Sequence, residues 1–332
     1  MKIGILSFAH LHAEAYIQNL RALPGMKLIG IADDDAQRGN QFAKQFEAHL
    51  FQNTEELLAA KPDGVLICSE NTHHRRLVEM AAAAKVNILC EKPLATTVED
   101  ANTIVKVCEN AGVLLMTAFP MRFSAPILEV KARLDSGDLG RVYAIKSSNQ
   151  GELPAKHRQW FVDPILAGGG AIADHTVHLA DLMRWYLQSE VVEVYAQSNK
   201  IFHADEVAVE TGGMVMLTFA NGVFASIDCS WSRPPYWFAW GGLSFELITD
   251  HGAVLVDAFK QNLTLFSHTV QRPAWLYWGS DANQAMVADF VDAIRTGRQP
   301  RVTGVDGLRA VEVVAAAYES CCTGQPVKLP RV

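Results

Sequence analysis

Residues 2–35 read KIGILSFAHLHAEAYIQNLRALPGMKLIGIADDD, and this stretch indicates how the chain begins to fold. Two short apolar runs, 3–6 and 28–32, enclose a segment with helical spacing that Pro24 and Gly25 end. Neither run alternates with polar residues, which is typical of strands in a parallel sheet that helices cover on both faces. The stretch therefore predicts a strand–helix–strand unit.

The same pattern recurs before residue 120. Further apolar runs lie at 64–68, 86–90 and 113–117. Thr97, followed three residues later by Asp100, is typical of a helix start, and Gly112 of a helix end. Five strands that alternate with helices predict an α/β domain over residues 1–120, with a parallel, doubly wound sheet of the Rossmann type.

After one more helix near 125–136, the pattern changes to strands joined by turns. Strands are expected at 143–148, 191–200, 214–219, 223–231, 244–249 and 263–266. Asn221 and Gly222 lie between two of these runs and are a strong hairpin signal. Helices are expected near 172–187, 282–295 and 307–320. Residues 121–332 are therefore predicted to form an α+β domain with a large, mostly antiparallel open sheet.

The composition excludes several classes of function. The 332 residues are 49 % hydrophobic and 20 % charged, which is typical of a chain that folds around a core. The formal net charge is −7 and no run of Lys or Arg is present, so we expect no nucleic-acid partner. No apolar stretch reaches the roughly 20 residues of a membrane span, so we expect a cytoplasmic protein that binds small molecules. The six cysteines have no metal-ligand spacing and are expected to be reduced.

The loop after the first strand is where a dinucleotide-binding fold carries three glycines, and here those positions are Ser7, Ala9 and His12. Ser and Ala are small enough for a pyrophosphate to approach, and a helix N-terminus attracts anions. Asp33 follows His12 by 21 residues, about where an acid contacts the adenosine ribose. We expect cofactor contacts from Asp33 and from the loop residues Ser7, Phe8, Ala9, His10 and Leu11.

The charge at Asp33 favours NAD over NADP, because a carboxylate accepts hydrogen bonds from ribose hydroxyls and repels a 2′-phosphate. Arg38 is the counter-argument, although pairing with Asp34 would also explain it. The alternative for the whole acidic run is that it caps the following helix.

Two later segments carry polar groups where chemistry is expected. Lys92 follows the fourth strand, and Pro93 forces an extended backbone on it at the carboxyl edge of the sheet, where such folds bind ligands. Asp174 and His178 come after three glycines and are four residues apart, so they share one face of a helix. Asp181 continues that polar stripe on an otherwise apolar helix.

At these residues the chain resembles the glucose-fructose oxidoreductase, inositol dehydrogenase and MocA family of NAD(P)-dependent oxidoreductases. The resemblance covers essentially the whole length. Its landmarks are the segments 69–74, 91–93, 168–181, 306–307 and 324–326.

The resemblance implies hydride transfer between a nicotinamide and a secondary alcohol of a sugar, sugar derivative or cyclitol, by a homodimer or homotetramer. It assigns catalysis to Lys92, Asp174 and His178, and ribose binding to Asp33. Further cofactor contacts are implied for Ser69, Asn71, His74, Glu91 and Lys92. Substrate contacts are implied for Lys92, Arg122, His157, Trp160, Asp174, His175 and His178.

Departures from the family pattern leave alternatives open. Phe161 stands where many relatives carry arginine, and Ser124 replaces a frequent asparagine, so the substrate is expected to be unusual. Aromatic and basic residues expected either to line a sugar site or to pack are Trp231, Arg233, Tyr236 and Trp237.

Three other functions remain as alternatives. One is a metal site built from His10, His12 and the 174–178 segment; we expect no metal, because Lys92 would sit poorly beside a cation. The second is a redox-neutral lyase, hydrolase or epimerase with tightly bound NAD. The third is a dinucleotide-binding sensor without catalysis.

Overall fold

Contacts divide the chain into two units in the computed structural model, which describes residues 1–237, 239–269 and 271–330. Unit 1 consists of Met1–Pro120, His157–Gly168 and Asn283–Val311. Unit 2 consists of Met121–Lys156, Gly169–Ala282 and Glu312–Val332.

Unit 1 is built around a parallel sheet of five strands in the order β2-β1-β3-β4-β5. The strands are β1 (Lys2–Leu6), β2 (Lys27–Ala32), β3 (Gly64–Ile67), β4 (Asn87–Cys90) and β5 (Leu115–Thr117). Burial on both faces explains their apolar sequences, since Ile3, Ile5, Val65 and Leu66 are all inaccessible to solvent. The expected Rossmann-type sheet is confirmed.

Helices connect these strands and end where the sequence signals predict. They are α1 (His12–Ala22), α2 (Ala36–Gln45), α3 (Thr54–Ala59), α4 (His74–Ala83) and α5 (Val98–Ala111). The Thr97 side chain caps α5 by accepting a 3.1 Å hydrogen bond from the Asp100 amide. Gly112 ends α5 in the left-handed conformation, with φ 67°.

Two later segments complete the core of unit 1, where the sequence had suggested a single C-terminal domain from residue 121. Helix α8 (Ala282–Thr296) buries Phe290 completely, and a Cβ on Gly64 would lie 3.1 Å from its ring. Trp160 is also buried and donates from Nε1 to the Ala9 carbonyl at 3.0 Å. The strand–helix pattern of the sequence does not predict that these segments join unit 1, because the residues that they contact are distant in sequence.

Unit 2 contains a seven-stranded sheet in the order β11-β10-β6-β9-β8-β7-β14. Its strands are β6 (Val142–Gly151), β7 (Val191–Asn199), β8 (Gly212–Phe219), β9 (Phe224–Ser230), β10 (Gly241–Thr249), β11 (Gly252–Asp257) and β14 (Val327–Lys328). Strands β6 and β9 pair in parallel, and the other described pairs are antiparallel, as expected for most of this sheet. A separate hairpin is formed by β12 (Asn262–Ser267) and β13 (Arg272–Tyr277).

The part of the chain that the structure describes has three further α-helices, and one of them positions polar residues. They are α6 (Ala125–Asp135), α7 (Ala171–Leu187) and α9 (Gly304–Thr323). Helix α7 packs on the inner face of the seven-stranded sheet, where a Cβ on Gly213 would lie 2.7 Å from Ile172. Among the described residues, no helix is long and apolar enough to cross a bilayer.

Candidate functional site

The loop between β1 and α1 adopts the turn that its glycine positions suggest. Ser7 has φ 69°, a left-handed conformation that glycine adopts without strain and serine does not. Its hydroxyl compensates, because Oγ accepts from the Ala9 amide at 3.1 Å and from Arg38 Nη2 at 3.2 Å. A serine therefore maintains a glycine-type turn through hydrogen bonds of its own.

Several amides of this loop are already hydrogen-bonded within the protein. The Phe8 amide donates to Asp33 Oδ2 at 2.8 Å, and the His10 amide donates to the Cys68 carbonyl at 2.8 Å. The His12 amide donates to Nδ1 of His10 at 3.2 Å. A glycine-rich loop directs such amides to a pyrophosphate. This loop therefore has fewer free backbone amides for an anion than a glycine-rich loop has.

Asp33 lies at the end of β2 with its carboxylate fully buried. Arg38 forms a two-pronged ion pair with this carboxylate, with Nε 2.9 Å from Oδ2 and Nη2 2.7 Å from Oδ1. Nη1 of Arg38 also donates to Glu70 Oε1 at 3.1 Å. Burial lowers the pKa of Arg38, but the two carboxylates outweigh burial and raise it. Asp35, rather than Asp33, caps α2 through the amides of residues 37 and 38.

The small loop residues and the buried acid at the end of β2 fit an adenine dinucleotide. Ser7 reproduces the backbone turn of a glycine, and Asp33 offers the carboxylate that such a site uses for ribose. Arg38 occupies that carboxylate in the structure, so a ribose bound there would have to share it with Arg38. Sequence reasoning assigned Arg38 to Asp34, and its position five residues after Asp33 is the signal that could have found the contact.

The residues after β3 mainly hold backbone segments in place. Asn71 donates from Nδ2 to the Ala167 carbonyl at 2.9 Å, and Ser69 donates to the Glu70 carbonyl at 3.1 Å. His74 is fully buried, and its Nδ1 donates to the Pro93 carbonyl at 3.0 Å. Burial lowers the pKa of His74. This ring therefore anchors the chain directly after Lys92.

Lys92 and Glu91 lie where β4 ends, at the carboxyl edge of the parallel sheet. Lys92 is buried and precedes a cis peptide bond to Pro93. Its amide donates to Glu91 Oε2 at 3.1 Å, and Glu91 Oε1 lies 3.1 Å from Nδ1 of His12. The expected position of Lys92 at a ligand-binding edge agrees with this geometry.

In unit 2, the first turn of α7 is held by two side chains that sequence reasoning missed. Glu210 Oε1 accepts from the amides of Gly170 (3.1 Å) and Ile172 (3.0 Å). The Tyr318 hydroxyl donates to Glu210 Oε1 at 2.8 Å and accepts from the amides of Gly170 and Ala173. A Cβ on Gly169 would lie 1.9 Å from that hydroxyl, so the glycine run admits Tyr318.

Asp174 and His178 lie one turn apart on α7, as their spacing predicts. Asp174 is buried and its Oδ2 accepts from Trp231 Nε1 at 3.2 Å. The same oxygen lies 3.1 Å from His175 Nε2, while His175 Nδ1 donates to the Asn149 carbonyl at 2.8 Å. His175 therefore faces protein groups, whereas His178 is partly accessible to solvent.

The remaining expected substrate contacts lie in different surroundings. Arg122 is buried in a two-pronged ion pair with Asp181, at 2.8 and 2.5 Å, so its charge is already satisfied. Trp160 is stacked on Phe161 in unit 1, and His157 is exposed. Trp231 is buried, and Arg233 lies 4.2 Å over the ring of Trp237.

Comparison with known proteins identifies the family. Residues 2–119 match the family model described as "Oxidoreductase family, NAD-binding Rossmann fold", and residues 127–255 match "GFO/IDH/MocA C-terminal domain". The chain belongs to the GFO/IDH/MocA oxidoreductase family. This confirms the resemblance, the fold class and the NAD-binding character of the N-terminal domain.

Relatives of this oxidoreductase align over almost its whole length. Myo-inositol 2-dehydrogenase of Thermotoga maritima is 25 % identical, with 100 % of this chain and 99 % of the relative covered. 1,5-Anhydro-D-fructose reductase of Ensifer adhaerens is 28 % identical, with 98 % of each covered. The crystal structure of GenD2 from gentamicin A biosynthesis in complex with NAD superposes with a TM-score of 0.89 at 24 % identity, covering 100 % of this chain and 97 % of that one. That last likeness concerns the fold alone.

Proposed function

We propose that the enzyme transfers a hydride between a nicotinamide and a secondary alcohol of a sugar, sugar derivative or cyclitol. The observation that carries the proposal is the pair Asp174 and His178 on one face of α7, whose first turn Glu210 and Tyr318 hold in place. Such a substrate also agrees with the relatives named as inositol dehydrogenase and anhydrofructose reductase.

Each of three residues takes one role in this reaction. His178 accepts the hydroxyl proton, since imidazole titrates near neutral pH. The Lys92 ammonium stabilises negative charge on the substrate oxygen, and Asp174 orients the His178 imidazole or binds a neighbouring hydroxyl. The β1–α1 loop and Asp33 would hold the pyrophosphate and adenosine ribose of a dinucleotide, whose nicotinamide would accept or donate the hydride.

NAD is proposed as the preferred cofactor because Asp33 follows β2, the position at which Rossmann-type folds carry the acid that binds the ribose hydroxyls. Arg38 neutralises part of that charge and is the group that a 2′-phosphate would attract. Isothermal titration with NAD and NADP tests the preference. Tighter binding of NADP would reverse it.

A polyol and sugar screen tests the activity. Purified enzyme with NAD or NADP is incubated with inositols, aldoses and anhydrosugars, while nicotinamide absorbance and product composition are followed together. The proposal expects a ketone or lactone with an equivalent amount of reduced cofactor. A changed sugar without net reduction identifies a redox-neutral enzyme, and cofactor binding without any product identifies a sensor; either result would overturn the proposed net oxidoreduction.

We propose further that the enzyme is a cytoplasmic homodimer or homotetramer that associates through the outer face of the seven-stranded sheet. Met214, Met216 and Phe224 are about half exposed on this face, and apolar patches of this kind mark interaction sites. Sedimentation of Phe224→Glu should show smaller particles. Ile165→Glu, which alters an exposed apolar residue of unit 1, serves as the control.

A further inference from the structure

Two histidines and a glutamate meet at the carboxyl edge of the parallel sheet in unit 1. His10 belongs to the β1–α1 loop, His12 begins α1, and Glu91 follows β4. His12 Nδ1 lies 3.1 Å from Glu91 Oε1, and His10 Nε2 lies 3.8 Å from Glu91 Oε2. The Glu91 side chain is fully buried, whereas that of His12 is 25 % exposed. The cluster therefore joins a buried carboxylate to a ring that reaches solvent.

The three side chains also resemble a metal site, because one ligand atom from each lies within 4.8 Å of the others. The hydrogen bonds of this cluster indicate instead that the histidine ring nitrogens hold hydrogens rather than a metal ion. The His12 amide donates to His10 Nδ1, so the neutral His10 ring carries its hydrogen on Nε2. A metal at Nε2 would need the lone pair there, and a ligating histidine normally donates from its other nitrogen, which here faces a donor.

Glu91 fixes the tautomer of His12. An ionised carboxylate only accepts hydrogen bonds, so the contact with Oε1 makes Nδ1 of His12 the donor and leaves the lone pair of the neutral ring on Nε2. Burial alone would raise the pKa of Glu91, but His10, His12 and Tyr16 outweigh burial and lower it. Glu91 therefore remains a carboxylate and can stabilise a proton that His12 gains.

The position of this pair matches a need of the proposed reaction. Lys92 is buried, and its amide donates to the second oxygen of Glu91. A proton that leaves an alcohol beside a buried ammonium needs a route to water. His12 is the partly exposed member of the cluster, and it replaces the third glycine of the phosphate loop, where most such folds have no side chain.

We propose that His12, oriented by Glu91, is the group through which the reaction exchanges its proton with water. The inference rests on the proposed function. In oxidation, the O–H bond of the substrate breaks, the base takes up the proton, and Nε2 of His12 exchanges that proton with water. The C–H electron pair leaves with its hydrogen as hydride to the nicotinamide. Reduction runs the same transfers in reverse.

Proton exchange is tested by chemical rescue. His12→Ala should lower kcat by about 100-fold in weakly buffered solution, at the low end of acid–base contributions. Added imidazole should restore much of the rate, because it carries protons in place of the missing ring. His203→Asn removes a histidine that pairs with Glu206 in unit 2, and it should leave kcat unchanged. An unchanged kcat for His12→Ala, or a loss that imidazole leaves untouched, overturns the proposal.

A second measurement needs no substrate. In ¹⁵N-labelled apo-protein, long-range ¹H–¹⁵N spectra should place the hydrogen of neutral His12 on Nδ1, and Glu91→Gln should weaken that preference. A His12 hydrogen on Nε2, or stoichiometric zinc in the purified protein with activity that a chelator removes, overturns the proposal. If the unmodified enzyme turns over no sugar or cyclitol, the proposed function fails, while the spectra still decide the His12–Glu91 arrangement.

Discussion

At the scale of single residues, Lys92 and His178 are expected to govern turnover rather than cofactor binding. His178→Ala should lower kcat by about 10²–10⁴-fold, the usual cost of losing a general base. Lys92→Ala should also abolish most turnover, because developing charge on the substrate oxygen loses its ammonium. Steady-state kinetics and NAD titration check both variants. Unmodified turnover in His178→Ala would transfer the base assignment to Lys92 or His175.

Ser7 offers a second prediction at this scale, because strain and hydrogen bonding oppose each other there. Ser7→Ala keeps the left-handed backbone and loses both Oγ contacts, so the free energy of unfolding should fall by about 1 kcal/mol. Ser7→Gly loses the same contacts but relieves strain of about 1 kcal/mol, so it should be nearly neutral. Urea unfolding measures the difference; glycine less stable than alanine would contradict this account.

At the scale of elements, the position of helix α7 depends on the hydrogen bonds that its first turn makes. The partly buried carboxylate of Glu210 and the Tyr318 hydroxyl accept hydrogen bonds from the first-turn amides. Tyr318→Phe leaves buried amides without this acceptor and should cost about 1–3 kcal/mol of unfolding free energy. It should also lower kcat, because Asp174 and His178 lie on the same helix. A variant with unchanged stability and rate would show that the hydroxyl does not position α7.

Glu210 gives the same helix a pH dependence. Burial raises the pKa of Glu210 above its ordinary value of 4.5. The folded state therefore binds more protons than the unfolded state between 4.5 and the raised pKa, so stability should fall as pH rises through this window. Glu210→Gln should flatten that slope in urea unfolding measured at a series of pH values. An equally steep slope in the variant would assign the effect to another group.

The strands could be predicted from sequence where burial covers both faces, as in β1 and β3. Strand β11 was missed although residues 253–256 form an apolar run; the strand lies at the sheet edge and is mostly exposed, and nothing in the run itself shows that it pairs with β10. The parallel pairing of β6 with β9 is likewise invisible locally, since the choice of partner depends on distant segments. At the site, spacing predicted Asp174 and His178, but nothing in the sequence indicated that Glu210 and Tyr318 meet α7.

At the scale of the whole molecule, the first 120 residues do not contain the whole core of unit 1. Phe290 is inaccessible to solvent, and Trp160 and Phe161 belong to an apolar cluster with Ala9. A fragment of residues 1–120 therefore lacks side chains that cover β1, β3 and the β1–α1 loop. It should bind a hydrophobic dye and unfold without the sharp transition of the full chain, because exposed apolar surface replaces buried core.

Single substitutions in the full chain measure how much the core side chains of these later segments stabilise the protein. Phe290→Ala should cost about 3–5 kcal/mol of unfolding free energy, since a large buried ring leaves a cavity. Arg295→Ala, on the exposed side of the same helix, should stay within about 0.5 kcal/mol of the unmodified protein. Calorimetry and urea unfolding compare these variants with the fragment. A cooperative fragment with the melting temperature of the full chain would mean that residues 1–120 fold alone, and that the segments 157–168 and 283–311 only cover a finished domain.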